Sequence, residues 1–144
     1  RGLGDVYKRQ AKMLHAISNA TVPKITVVIR KAYGAGYFVM NGRGYEPDLI
    51  VAWPSAEISV MGAEGAVEIV MRKQVEAAED PEAMKAHLIS EYRKIIDVYI
   101  AAKNGMIDDV IDPRETREVI CRGLEMAEGK VVDRPWKRNG VVPV

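Results

Sequence analysis

The sequence predicts an α/β fold, and three observations carry that reading. Short apolar runs rich in β-branched residues recur at 24–30 (KITVVIR), 48–53 (DLIVAW) and 57–61 (EISVM). Stretches with apolar residues three and four apart, the period of a helix face, alternate with them. Small-residue segments, Gly34-Ala35-Gly36 and Met61-Gly62-Ala63, sit where a strand would hand over to a helix. The resulting order is strand, helix, strand, strand, helix, helix, strand, helix, which is that of an α/β domain.

Composition narrows the classes. The chain has 144 residues, 48% hydrophobic and 28% charged, with a formal net charge of +1. That suits one globular domain, and the near-neutral charge gives no electrostatic argument for nucleic acid or an anionic membrane. No apolar run reaches the roughly 18 residues of a membrane-spanning helix. The single cysteine, Cys121, excludes an intrachain disulfide and fits a reducing, cytoplasmic compartment. It is expected as a small buried residue of a helix. His15 and His87 lie far apart, and no His, Cys, Asp or Glu spacing matches a metal site. No internal repeat is visible.

Taken in order, residues 1–10 (RGLGDVYKRQ) are polar and without clean period, and are expected to be a leader outside the fold. The domain is then 11–144. Met13, Leu14 and Ile17 mark one face of a helix over 11–20, which Asn19 and Pro23 end. KITVVIR is apolar nearly throughout and reads as a strand covered on both faces. After the Gly34–Gly36 turn, YFVM opens a short helix that stops at Asn41-Gly42. Strands come next at 48–53 and 57–61, then a helix over about Glu64–Arg72 with Ala63, Ala66, Val67 and Val70 marking its buried side. Gly62 and Gly65 mark either close helix–strand packing or a second place of backbone contact with a ligand. Residues 73–80 read as a polar connector. Asp80-Pro81 is a cap with proline at the first helical position. Met84, Leu88, Tyr92, Ile95 and Tyr99 then predict one long amphipathic helix to about Ala102. Asn104-Gly105 breaks it, and 106–111 is a short strand or extended segment. Asp112-Pro113 with Glu115 starts the last helix, which ends at Gly129 and has Val119, Ile120, Leu124 and Met126 as its apolar residues. The tail, 130–144, is expected to be an extended arm.

The stretch Arg30–Met40 (RKAYGAGYFVM) is the candidate site. Small residues let the backbone take unusual dihedrals and let a ligand approach. The start of a helix leaves N–H groups without intrahelical acceptors, so two of them together can receive developing negative charge. Such an oxyanion hole needs no nucleophile, acid or base. By itself such a Gly-rich motif between a strand and a helix is more often just a turn.

Four blocks in order, KITVVIRKAYGAGYFVM, AWPSAEISVMGAEGAVEIV, IDDVIDPRETR and RPWKRNGVVPV, resemble the C-terminal part of the carboxyltransferase β subunit of biotin-dependent acyl-CoA carboxylases, of the propionyl-CoA and acetyl-CoA carboxylase type. The resemblance covers about residues 11–144. It implies a crotonase-like (ClpP/crotonase) fold, of which this sequence is a partial C-terminal carboxyltransferase domain. It implies an enzyme fragment inactive alone, since the family's site is shared between the first domain of one subunit and the second of another. The implied reaction moves a carboxyl group from carboxybiotin, held on a carrier protein that serves a biotin carboxylase, to the α-carbon of an acyl-CoA. The implied catalytic groups are the backbone N–H groups of Ala35 and Gly36, with Gly34, Ala35, Gly36 and Tyr37 around biotin. The family often has Gly-Ala where this chain has Ala35-Gly36, and a register of Gly34-Ala35 stays open. Phe38 stands where propionyl-CoA-type relatives commonly place Asp beside the acyl pocket, so it either walls that pocket or packs in the core. A homo-oligomer of full-length chains is implied as well. Two other readings are a decarboxylase α subunit, running the transfer from acyl-CoA to biotin, and a non-catalytic assembly or binding module.

Overall fold

The computed structural model describes residues 3–133. Helix α1 (Leu3–Asn19) leads into strand β1 (Ile25–Val28), then β2 (Lys31–Tyr33) and α2 (Ala35–Val39). Strands β3 (Leu49–Ala52) and β4 (Glu57–Ser59) precede α3 (Ala63–Ile69) and α4 (Arg72–Glu76). Helices α5 (Pro81–Ile95) and α6 (Val98–Lys103), strand β5 (Asp109–Val110) and helix α7 (Thr116–Met126) complete the order.

All strand pairs are parallel, in two small sheets ordered β1-β3-β5 and β2-β4. A structural repeat underlies them. Strand, bend, strand, glycine, helix occurs twice, as β1-β2-Gly34-α2 and β3-β4-Gly62-α3. The second unit lies beside the first, pairing Ile25 with Leu49 in one sheet and Tyr33 with Ser59 in the other. The two glycine turns therefore end up side by side.

The core forms around β3, where Ile50, Val51 and Ala52 are buried, and Ile50 and Ala52 join Val28, Tyr37, Ala56, Val98 and Ile107 in one cluster. Burying the valine and isoleucine side chains among them is worth about 1.5–3 kcal/mol each. Gly123 of α7 lets that helix lie directly on Ile25 and Leu49, whose side chains would be about 3 Å from an added Cβ.

Several sequence expectations change. Helix α1 starts at Leu3 and runs to Asn19 without a break, so the first helix is longer than the 11–20 expected. Strand β1 is not covered on both faces: it is the outer strand of its sheet, with an open groove of about 570 Å³ along residues 25–33. The connector after α3 contains α4, held by an Arg72–Glu76 ion pair one turn apart. The long helix splits at Ile96. There Ile58 N–H donates to the Ile96 carbonyl, Glu57 and Asp97 form an antiparallel bridge, and the Asp97 carboxylate caps α6 through Tyr99 N–H at 2.8 Å. Those bonds to β4 replace the helical ones. In α7 the inner stripe is Val119, Ile120, Gly123 and Ala127, which leaves Leu124, Met126 and Cys121 exposed. The Asp80 cap holds as expected, its carboxylate accepting from Glu82 and Ala83 N–H. Of the expected C-terminal arm, residues 134–144 lie outside the described residues.

Candidate functional site

The site is built from the first glycine turn. Gly34 has φ +51° and ψ −130°, a conformation open to glycine and strained for other residues. Its N–H donates to the Ser59 carbonyl at 2.8 Å, extending the β2-β4 ladder by one bond. An added Cβ would lie 2.8 Å from the Val60 carbonyl oxygen. Gly34 is thus required both by its dihedrals and by the neighbouring turn, and it aims α2 away from the sheet.

Within α2, Tyr37 N–H bonds to the Gly34 carbonyl at 3.2 Å and Met40 N–H to the Gly36 carbonyl at 3.2 Å. The N–H groups of Ala35 and Gly36 come before the first intrahelical bond, and no acceptor among the described residues takes either. Both residues are exposed, and nothing lies within 4 Å of a Cβ placed on Gly36. Two consecutive donors on exposed residues are therefore left without an acceptor among the described residues. No positive φ occurs at Gly36, so its bareness serves approach rather than conformation.

Tyr37 points the other way. It is 5% exposed, and its hydroxyl donates to the Met106 carbonyl at 2.6 Å while accepting from Arg43 N–H at 3.0 Å. Phe38 comes next on the outside, 44% exposed and edge-on to Tyr37 with ring centres 5.3 Å apart. It is not a core residue. It lies on a cavity of about 250 Å³ with Gly34, Ile58, Val60, Ile100 and Met106. Gly36 instead opens toward the groove along β1, while the Tyr37 ring edges on both hollows. The five expected residues are contiguous, but they divide between two hollows on either side of α2, and Ala35 lines neither.

At the second turn, the Tyr33 ring fills the space beside Gly62, 2.9 Å from where a Cβ would stand, whereas Gly65 has nothing within 4 Å. Gly62 therefore serves close packing. The Tyr33 hydroxyl donates to the Glu57 carboxylate. Burial pushes the Tyr33 phenol up to about 12, and the bond to anionic Glu57 adds to it. The KAY and AEIS segments contain both residues, but only the register Lys31–Glu57 and Tyr33–Ser59 reveals that they meet. Among the described residues no cluster of three His, Cys, Asp or Glu side chains is placed to hold a metal, and no helix is long and apolar enough to cross a membrane.

Comparison with known proteins agrees with the architecture. The family model described as the carboxyl transferase domain matches residues 3–142. The methylmalonyl-CoA carboxyltransferase 12S subunit of Propionibacterium freudenreichii is 52% identical over 141 residues, covering 97% of this chain and 27% of that protein. The methylmalonyl-CoA decarboxylase subunit alpha of Propionigenium modestum is 42% identical over 142 residues, covering 98% of this chain and 28% of that one. A transcarboxylase 12S crystal structure, with methylmalonyl-coenzyme A and methylmalonic acid bound, superposes with a TM-score of 0.88 at 50% identity, over all of this chain and 29% of the other. The chain thus spans under a third of the length of these relatives, and its fold is that of the crotonase-like carboxyltransferases. By family match, identity and superposition together, the chain belongs to the carboxyl transferase domain family.

Proposed function

We propose that this chain supplies the biotin-facing part of a carboxyltransferase that moves a carboxyl group between carboxybiotin on a carrier protein and the α-carbon of an acyl-CoA. One observation carries the reading: the Ala35 and Gly36 N–H groups are adjacent, exposed and without an acceptor among the described residues, at the end of a turn that only glycine can make. This donor pair fits a neutral group with an oxygen that becomes anionic during the reaction, as the biotin ureido oxygen does. When bound, carboxybiotin supplies the carboxyl unit. The chain's part is to hold Ala35 and Gly36 N–H toward that oxygen, each donor worth roughly 3 kcal/mol in the transition state.

Such donors work at full strength only when water is excluded. Here both residues are exposed, so a further portion of the enzyme has to close over them. We assign that role to a domain outside this chain, from another copy of the full-length polypeptide, which also binds the coenzyme A portion. Phe38 walls the apolar cavity beside Gly34 and selects acyl groups there; its bulk argues against propionyl-CoA as the substrate. The relative from Propionigenium modestum favours a second direction, transfer from acyl-CoA to biotin, which uses the same two donors in reverse. We assign the enzyme to the cytoplasm.

The test is complementation. Purified chain, mixed with a carboxybiotin carrier and acetyl-, propionyl- or butyryl-CoA, is expected to show no transfer. Addition of the N-terminal portion of a 12S-type chain restores it. Transfer by the chain alone, or none after complementation with a folded partner, overturns the reading in favour of a different site or a non-catalytic module.

A further inference from the structure

Helix α2 has five residues, far below the length at which a helix is stable by itself. Its first residue is preceded by Gly34, which has no side chain to cap it. Something else must fix the direction of its N–H groups. Tyr37 is the one buried residue of α2, and it comes directly after Gly36. Its hydroxyl joins two segments that are far apart in sequence, the turn beginning at Arg43 and the loop at Met106. Gly42 gives its ring room, since a Cβ there would stand 2.5 Å from the ring edge. Arg43 closes the same arrangement from outside, its side chain donating to the Gly105 carbonyl at 3.1 Å and pairing with the Asp108 carboxylate.

We propose that Tyr37 is a positioning residue: its hydroxyl, held between the Met106 carbonyl and Arg43 N–H, sets the aim of the Ala35 and Gly36 donors. Tyr37 then acts on biotin through the backbone rather than by side-chain contact. The inference rests on the oxyanion-hole reading of Ala35 and Gly36. Removal of the hydroxyl leaves a part-buried carbonyl and a part-buried N–H without their partner. The ring stays, so α2 still forms, but it is free to shift about the Gly34 hinge. A displacement of about 1 Å in a donor costs on the order of a hundredfold in rate.

The experiment compares Tyr37→Phe and Gly36→Pro in the full-length chain, reading kcat for carboxyl transfer, KM for acyl-CoA, and hydrogen exchange. Tyr37→Phe is expected to lower kcat by about ten- to a hundredfold. KM for acyl-CoA stays within about twofold, since coenzyme A binds elsewhere in this reading. Exchange at Met40 and Asn41, whose N–H groups bond to the Gly36 and Phe38 carbonyls, rises, while exchange at Val51 and Ala52 in β3 does not. If Gly36→Pro abolishes transfer and Tyr37→Phe leaves kcat within twofold, the positioning role is overturned and the oxyanion hole stands. If Gly36→Pro leaves transfer intact, the oxyanion hole itself is overturned. A Tyr37→Phe chain whose β3 amides exchange faster along with those of α2 shows a general structural role and overturns the inference as well.

Discussion

Two glycines two positions apart are expected to respond oppositely to the same methyl group. At Gly34, alanine must adopt φ +51° and ψ −130°, which costs about 1–3 kcal/mol for a residue with a side chain. Its Cβ also meets the Val60 carbonyl at 2.8 Å, and this atom is backbone in the adjacent turn, so it cannot swing aside. Together the two effects predict a loss of about 2–4 kcal/mol. At Gly36, alanine meets nothing within 4 Å and φ is not positive, so the helix gains up to about 1 kcal/mol from the better former. Urea unfolding monitored by circular dichroism reads both. With a denaturant slope of about 2 kcal/mol per molar, Gly34→Ala lowers the midpoint by about 1–2 M and Gly36→Ala leaves it level or raises it. Equal shifts for the two variants would refute the assignment of Gly34 as the conformational hinge and Gly36 as the open approach.

Other parts of the fold predict three more outcomes. Burial works to raise the Asp48 carboxyl, but Lys130 Nζ and Lys24 N–H, each at 2.7 Å, hold it below its ordinary value. Its stabilisation is therefore present above about pH 4 and lost as pH falls through the lowered value. Asp48→Asn costs about 1–2 kcal/mol near neutrality, with the difference from the parent disappearing in acid, as urea titrations across pH would show. Tyr33, pushed up to about 12, contributes stability fully below the ordinary tyrosine value of about 10 and loses it as pH rises through 12. Phenolate absorbance should show Tyr33 titrating late, and Glu57→Gln brings it part of the way down, since burial stays. The open edge of β1 and the exposed Val60, Ile69, Val70 and Tyr99 predict self-association of the isolated chain by light scattering. A monomer at high concentration would count against a missing covering domain.

Local signals in the sequence are legible where they are chemical. Asp80-Pro81, Asp112-Pro113 and Asn104-Gly105 each end or begin an element in the structure, because caps and breakers act within a few residues. The apolar run at Leu49–Ala52 is the buried central strand. Pairing is less legible. Lys31–Tyr33 carries no strand period in three residues, and becomes β2 only because Glu57–Ser59 lies beside it. The helical spacing of Tyr92, Ile95 and Tyr99 runs straight across the break at Ile96, which is set by β4 rather than by the helix's own residues. The repeat of strand, bend, strand, glycine and helix shows in the sequence only as the two Gly-Ala pairs, Gly34-Ala35 and Gly62-Ala63.

For the candidate site, the strand-to-helix junction reveals the position of the turn and its two small residues. It does not reveal the division of roles. Gly34 as hinge, Gly36 as open approach and Tyr37 as an inward anchor depend on Val60, Met106 and Arg43, which are remote in sequence from a motif read by itself.

The central claim is that the Gly36 N–H stabilises charge on a biotin oxygen. Its most direct test is the single-turnover rate of carboxyl transfer by full-length Gly36→Pro, beside Gly36→Ala and with folding checked by circular dichroism. Proline in the first helical turn is tolerated but removes the donor. The account predicts a loss of roughly a hundredfold or more for proline, a smaller loss for alanine, which keeps the donor but narrows the approach, and unchanged acyl-CoA affinity in both. A folded Gly36→Pro enzyme that transfers carboxyl groups at nearly the parent's rate would contradict it.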